Sequence, residues 1–191
     1  MPVDPHRRDA MISAAVLDLL RTKGPSSVNV EAVAARAGVA KTTIYRRYRN
    51  REEMTAAALS SLTSPPPPPE QGSTQAILQW LIEQSINAIE AGIGVGGVAA
   101  LLTDEDTTFT KLIRALLVEH RAALASEIDN AAERAQFRND LDIDTLLDCI
   151  VGAYLAERAR RGVVEPGWAQ RILRSLWPVF TEQPSPRGGL P

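Results

Sequence analysis

Residues 28–57, VNVEAVAARAGVAKTTIYRRYRNREEMTAA, are the most informative segment of the chain. Asn29 can cap a short helix, because its side-chain oxygen reaches a backbone N–H of the first turn. The inner face of that helix is Val33, Ala34 and Ala37. Gly38 then supplies a tight turn, since it enters the left-handed region at little cost. Val39 plugs the space beyond it, and a second helix runs from about Ala40 to Tyr45. Small Ala34, with apolar Val39 and Ile44, lets the two helices cross closely around a short turn. That is the geometric requirement of a helix-turn-helix.

The outer surface of the second helix and its exit is polar or basic: Lys41, Thr42, Thr43, Tyr45, Arg46, Arg47, Tyr48, Arg49 and Arg51. Guanidinium groups grip phosphates or read guanine edges, while hydroxyls and ring edges meet phosphate or thymine methyls. Together with Asn29, these are the expected DNA-binding residues. Lys41 and Tyr45 are expected to carry sequence reading, and Arg51 to add affinity for any sequence. The other reading of RRYRNR is a solvated cationic surface with no partner. Four arginines within six residues, directly after a helix-turn-helix pattern, weigh against it.

A net charge of −2 looks wrong for a DNA-binding chain until it is divided. Residues 1–63 hold ten Lys/Arg against six Asp/Glu, a local balance of +4, which leaves −6 on the remainder. That asymmetry fits a chain of which only the first segment meets phosphates. With 45% hydrophobic and 23% charged residues, the 191-residue chain has enough apolar material for one or two globular domains. No uninterrupted apolar stretch, such as Cys149 to Ala156, approaches the ~20 residues that span a bilayer, so no membrane partner is expected. The amino terminus has no apolar run behind its charges and does not read as a signal peptide. One cysteine forms no internal disulfide and no metal-ligand cluster, which fits a reducing cytoplasm.

The helical period dominates the chain and no run alternates like a strand, so the fold class is all-α. Pro5 to Lys23 carries Ile12, Ala15, Val16, Leu19 and Leu20 on one stripe, with Asp4 as its cap and Gly24-Pro25 as its stop. Two shorter helices and a longer one follow to about Leu62. Pro65 to Pro69 are five consecutive prolines that no helix crosses. They divide the chain into a helix-turn-helix domain at 1–63 and a helical domain at 70–183. The proline run reads as a stiff linker, with a ligand for a partner domain as the other reading. Beyond it, apolar spacing predicts helices at 74–91, 95–103, 107–133, 143–161 and 166–181, the last kinked or ended by Pro178. The tail SPRGGLP is expected to be disordered.

Gly92 to Gly97 matches G-x-G-x-x-G, but a dinucleotide site needs a preceding strand. A helix precedes it here, so it reads as a flexible corner between helices. His120 lies on an apolar stripe, either as a hydrogen-bonded core histidine or as a ligand contact. Cys149 reads as a small hydrophobe on a helix face. No nucleophile–base pairing or carboxylate dyad stands at a telling spacing, and neither an enzyme nor a cofactor is expected.

The elements VNV, AGVA, TIYRRY and REEM resemble the motif of the TetR/AcrR family of one-component repressors. The match spans about residues 10 to 60. Asn29 stands where threonine is usual and caps equally well, whereas Ala40 stands where a capping serine is common. Past the linker, ERAQFRNDLDIDTLLDCIVGAYLAERARRG resembles the family's charged link into the first dimer helix, with Arg134-Ala135-Gln136 in place of Arg-Gly-Glu.

The resemblance implies an amino-terminal three-helix helix-turn-helix DNA-binding domain and a carboxy-terminal helical ligand-binding and dimerisation domain. The implied homodimer pairs the last two helices through Leu147, Val151, Gly152, Leu155, Leu173, Leu176 and Trp177. It reads two half-sites of a palindromic operator in double-stranded DNA. The implied effector is a small hydrophobic molecule. Its candidate contacts are Trp80, Gln84, Asn87, Phe109, Ile113, Leu117, His120 and Tyr154. The expected function is thus a transcription repressor released from DNA by that ligand. The alternatives are a DNA-binding regulator without an effector and a helical interaction protein with an acidic partner.

Overall fold

The computed structural model describes residues 5–60, 64–70, 73–135, 137–138 and 140–180. The cap expected at Asp4, the link at Gln136 and the tail lie outside them. The elements are α1 (Pro5–Lys23), a 3-10 turn (Pro25–Ser27), α2 (Val30–Ala37), α3 (Lys41–Arg47) and α4 (Arg51–Leu59). Then come α5 (Thr74–Asn87), a wide helical turn (Ala88–Ile93), α6 (Gly94–Thr103), α7 (Thr107–Ala135), α8 (Ile143–Arg161) and α9 (Trp168–Phe180). The chain is all-α, as its periodicity requires.

The helices form two compact units. The first comprises Met1–Pro65 with Asn87–His120, and the second Pro66–Ile86 with Arg121–Pro191. The proline run thus marks one crossing between units. The crossings after Ile86 and His120 fall inside continuous apolar stripes, where no turn signal announces them.

In the first unit α1 is the central element and packs against α2, α4, α6 and the wide turn. Its Ile12, Val16 and Leu20 join Val33 of α2, Ile44 of α3, and Met54 and Leu59 of α4 in one core. Ile93, Ala100, Phe109 and Ile113 belong to the same core, so α6 and the start of α7 are part of this unit. The Gly92–Gly97 corner is more tightly built than a flexible joint. At Asn87, short of the expected 91, α5 passes into the wide turn, within which Gly92 leaves helical geometry (φ −95, ψ −110). Gly94 sits at φ +69, and a Cβ there would lie 2.6 Å from the Cα of Arg21. The Arg21 guanidinium donates to the Ala91 carbonyl at 2.9 Å. The segment Thr74–Thr103 has a window of mean hydropathy 1.5, apolar enough for a bilayer. It is broken at this corner, however, and Ile77, Leu78, Leu81 and Ile82 are buried within the protein.

In the second unit Leu78 and Ile82 of α5, Leu124 and Ile128 of α7, Leu146, Leu147 and Ile150 of α8 and Leu173 of α9 are all buried. Arg121 donates to the Asp144 carbonyl at 3.1 Å and pairs with the Asp148 carboxylate. Asp142 caps α8 by accepting from the Thr145 N–H at 3.1 Å. Gly162 ends α8 in the left-handed conformation. The last helix starts at Trp168 rather than 166, because Gly167 takes φ +78. Pro178 lies inside α9 without ending it.

Candidate DNA-binding surface

The surface rests on four local devices. The Asn29 side chain accepts from the Ala32 N–H at 2.9 Å and so starts α2. Gly38 ends that helix in the left-handed region (φ 66, ψ 33). Its own N–H and that of Val39 both point at the Ala34 carbonyl. Ala40 heads α3 with no side-chain cap, the consequence of alanine at that position. Asn50 starts α4 by accepting from the Glu53 N–H at 2.8 Å, while Glu53 accepts from the Arg49 N–H at 2.7 Å. The sequence reading missed Asn50, although the spacing Asn-x-x-Glu is a helix-start signal.

Ile44, 1% exposed, fixes α3 to the core. Its neighbours then face solvent: Lys41, Thr42, Tyr45, Arg46 and Arg47 are exposed and Thr43 is half-buried. Tyr45 is 61% exposed, a large area for an aromatic ring with no covering residue. Thr43, Arg46 and Arg47 line an open groove against Arg8, Asp9 and Ile12 of α1, so α1 borders this face, which the sequence reading did not anticipate. No local spacing links Arg8 to α3; only the packing of the two helices brings them together.

Most of the cations are held by carboxylates. Lys41 pairs with Glu31 at 2.9 Å, Arg47 with Asp9 at 2.8 Å, and Arg49 with Glu53 at 3.0 Å. The hydrogen bond from Lys41 lowers the pKa of Glu31, and the Arg49 N–H, then its guanidinium, lowers that of Glu53. Exposed pairs of this kind contribute little net stability, so a phosphate can displace the carboxylate cheaply.

Two residues expected on the outer surface are placed elsewhere. Tyr48 is 8% exposed and part of the core. Its hydroxyl pKa is raised by burial and by nearby Asp9. The aromatic ring of Tyr48 closes the unit instead of facing outward. Arg51 is turned inward to Asp106 and the Pro25 carbonyl.

The candidate effector contacts fall into both units. Asn87, Phe109, Ile113, Leu117 and His120 group with the first, Trp80, Gln84 and Tyr154 with the second. Phe109 and Ile113 are core residues there and Leu117 packs on that core, while His120 is buried and Asn87 exposed. Trp80 is buried and donates its indole N–H to the Pro66 carbonyl at 3.0 Å, which docks the proline run on α5. Tyr154 meets Trp168 edge-on at 5.4 Å, and Gln84 is half-buried. Of the candidate interface residues, Leu147 and Leu173 are buried within the chain, and Val151, Leu155 and Leu176 are half-buried. Gly152 is exposed and Trp177 is 36% exposed. Val179, 46% exposed on the same helix, was not anticipated. Cys149 is exposed, not packed as a small hydrophobe.

The fold and this surface define an all-helical regulator that presents a helix-turn-helix to DNA. Residues 12–58 match the family described as bacterial regulatory proteins, tetR family. Over those residues the chain carries the amino-terminal, DNA-binding part of a TetR-family regulator. Among solved structures it is similar to reduced NemR from E. coli, at 17% identity and TM-score 0.66, covering 91% of this chain and 97% of that one. It is similar to a TetR-family protein from Vibrio parahaemolyticus, at 14% identity and TM-score 0.61, covering 92% and 100%. It is similar as well to FadR from Bacillus subtilis in complex with stearoyl-CoA, at 16% identity and TM-score 0.58, covering 87% and 96%. By sequence alone, no curated protein matches.

Proposed function

We propose that this regulator is a cytoplasmic homodimeric repressor that binds a palindromic operator and leaves it when a small hydrophobic ligand binds. The observation that carries the reading is the α3 face. Thr42, Tyr45 and Arg46 are open to solvent on a helix whose opposite side is anchored by Ile44. A rigidly seated polar face with an exposed ring and guanidinium is what direct reading of base edges needs.

Dimerisation is supported by apolar area that the chain leaves uncovered on α9, at Trp177 and Val179, and by the half-buried Val151 and Leu155 of α8. A dimer also doubles the contact made by a recognition helix of only seven residues. A ligand-binding carboxy-terminal domain, expected at 70–183 beside a DNA-binding domain at 1–63, is supported by likeness of fold. FadR, which shares it, was crystallised with stearoyl-CoA. For release, the ligand must bind the DNA-incompetent form more tightly, since equal affinity for both forms shifts nothing.

Selection of genomic fragments with the purified protein, followed by fluorescence anisotropy on the recovered site, tests the reading. The site is expected to bind far more tightly than random duplex at ~150 mM salt, with an affinity that falls steeply as salt rises. Tyr45→Ala is expected to weaken operator binding on the order of tenfold or more. Equal binding to selected and random duplex overturns the proposal. Light scattering is expected to give a dimer for the unmodified chain and a folded monomer for Trp177→Arg. A monomeric unmodified chain overturns the dimer.

A further inference from the structure

Arg51 opens α4 at the edge of the cationic surface, where its place in the sequence suggests a phosphate contact. Its environment says otherwise. Its side chain is 31% exposed, against 89% for Arg49 two residues earlier. One terminal nitrogen of Arg51 donates to Asp106 Oδ2 at 2.7 Å, and the other donates to the Pro25 carbonyl at 2.5 Å. Both arms of the fork are therefore committed within the protein.

Asp106 is committed as well. Its Oδ1 accepts from the Phe109 N–H at 3.0 Å and caps the first turn of α7, and the Phe109 ring sits in the core. The loop that presents Asp106 is defined by Asp104 in the left-handed region (φ 51) and by the Glu105 N–H donating to the Ala100 carbonyl at 3.3 Å. Swinging Arg51 toward a phosphate would leave a carboxylate that is only 19% exposed without its cation. Breaking one side of a shielded pair costs more than exchanging an exposed one.

We propose that Arg51 is a positioning residue for DNA recognition, tying the start of α4 and the turn after α1 to the loop before α7, and that it does not contact phosphate. The tie acts on α3 because only Tyr48, Arg49 and Asn50 separate that helix from Arg51, and the Tyr48 ring is fixed in the core. The packing of Gly94 on Arg21 is a second attachment between the same parts of the unit. The inference rests on the DNA-binding reading above.

The test measures operator and random-duplex affinities over a salt series for the full chain and for Arg51→Lys, Asp106→Asn and the pair combined. Active fractions come from stoichiometric titration, so that only folded protein is compared. Binding by the unmodified chain is the control: if it fails to distinguish operator from random duplex, the DNA-binding reading fails first. With that control satisfied, Asp106→Asn is expected to lose about tenfold in operator affinity, as for one shielded charged hydrogen-bonding pair. Its salt slope should stay unchanged, and random-duplex binding should barely move. Arg51→Lys keeps the charge but not the fork, and is expected to lose a similar factor, with the double variant no worse than either single one. A phosphate contact gives the opposite pattern. Asp106→Asn would then bind DNA as well or better, and Arg51→Lys would stay near the unmodified affinity. To cover loss through misfolding, Arg51→Gln is compared by salt slope alone. A slope lower by about 1 marks a lost phosphate contact and overturns the proposal, while an unchanged slope supports it.

Discussion

Helices α3 and α9 bury their inner sides in the same way and differ in whether large apolar side chains stay exposed. On α3, Ile44 is the buried anchor and the exposed neighbours are threonine, tyrosine, lysine and arginine. On α9, Trp168, Leu173 and Phe180 are buried, and Trp177 and Val179 are among the exposed residues. A polar, cationic outer face identifies its partner by chemistry, because hydrogen-bond donors and guanidinium groups have few macromolecular complements of the right geometry. Exposed apolar side chains such as Trp177 and Val179 state only that they prefer to be covered. The first helix therefore names DNA, while the second names a neighbour of unspecified identity.

The largest effect that can break this contrast is at Ile44. Ile44→Ala removes a side chain that is 1% exposed and joins α3 to the core. Destabilisation of about 2–5 kcal/mol is expected in urea unfolding. Adjacent Tyr45→Ala should change stability by less than about 0.5 kcal/mol while lowering operator affinity. A comparable loss of stability at both positions would mean that the Tyr45 ring is structural and the division of α3 into anchor and reading face is wrong.

Gly94 gives the next effect. Its φ of +69 and ψ of 171 lie where only glycine is comfortable, and a Cβ would meet backbone at Arg21. Gly94→Ala is expected to cost about 1–3 kcal/mol from the conformation, with the close contact added to it. Thermal unfolding checks this. A melting temperature equal to that of the unmodified chain would show that the corner is a loose joint, as the sequence alone suggested, and not a fixed attachment to α1.

Local patterns made the first sixty residues legible. Asn29 as cap, Gly38 as turn and Ile44 as anchor each act within a few residues of where they stand, so spacing alone reveals them. The face of α3 followed, except at its end. Tyr48 turns inward because the chain leaves the helix there in an extended conformation (φ −128, ψ 131). Arg51 turns inward because its carboxylate partner lies 55 residues ahead. Neither cause is visible in a window of sequence. Beyond the linker, periodicity placed the helices well, since apolar stripes reflect burial whatever the neighbour. It did not tell which unit a stripe is buried in: Phe109 and Ile113 join the core of the helix-turn-helix, while Leu124 and Ile128, on the same helix, belong with the second unit. Trp80, a candidate ligand contact by its place in the sequence, holds the proline run, a pairing that depends on where Pro66 folds back.

The smallest effect is at Gly152, and its sign bears on what covers α8. Gly152 lies in the middle of that helix, exposed, and a Cβ built there meets nothing within 4 Å in its own chain. Glycine inside a helix costs about 0.5–1 kcal/mol relative to alanine, through the backbone freedom it loses on folding. If the chain were alone, Gly152→Ala would therefore be stabilising by about that amount. If a second copy packs its helix against α8, the added methyl enters the space the glycine kept open. Dimer affinity should then fall even though the monomer gains stability. Sedimentation equilibrium and thermal unfolding, measured over a range of protein concentrations, separate the two contributions. We expect a weaker dimer together with a higher melting temperature at the dilute end of the range, where monomer prevails. A variant with unchanged dimer affinity would move the interface away from Gly152, and it would leave the exposed apolar residues of α9 to account for assembly without it.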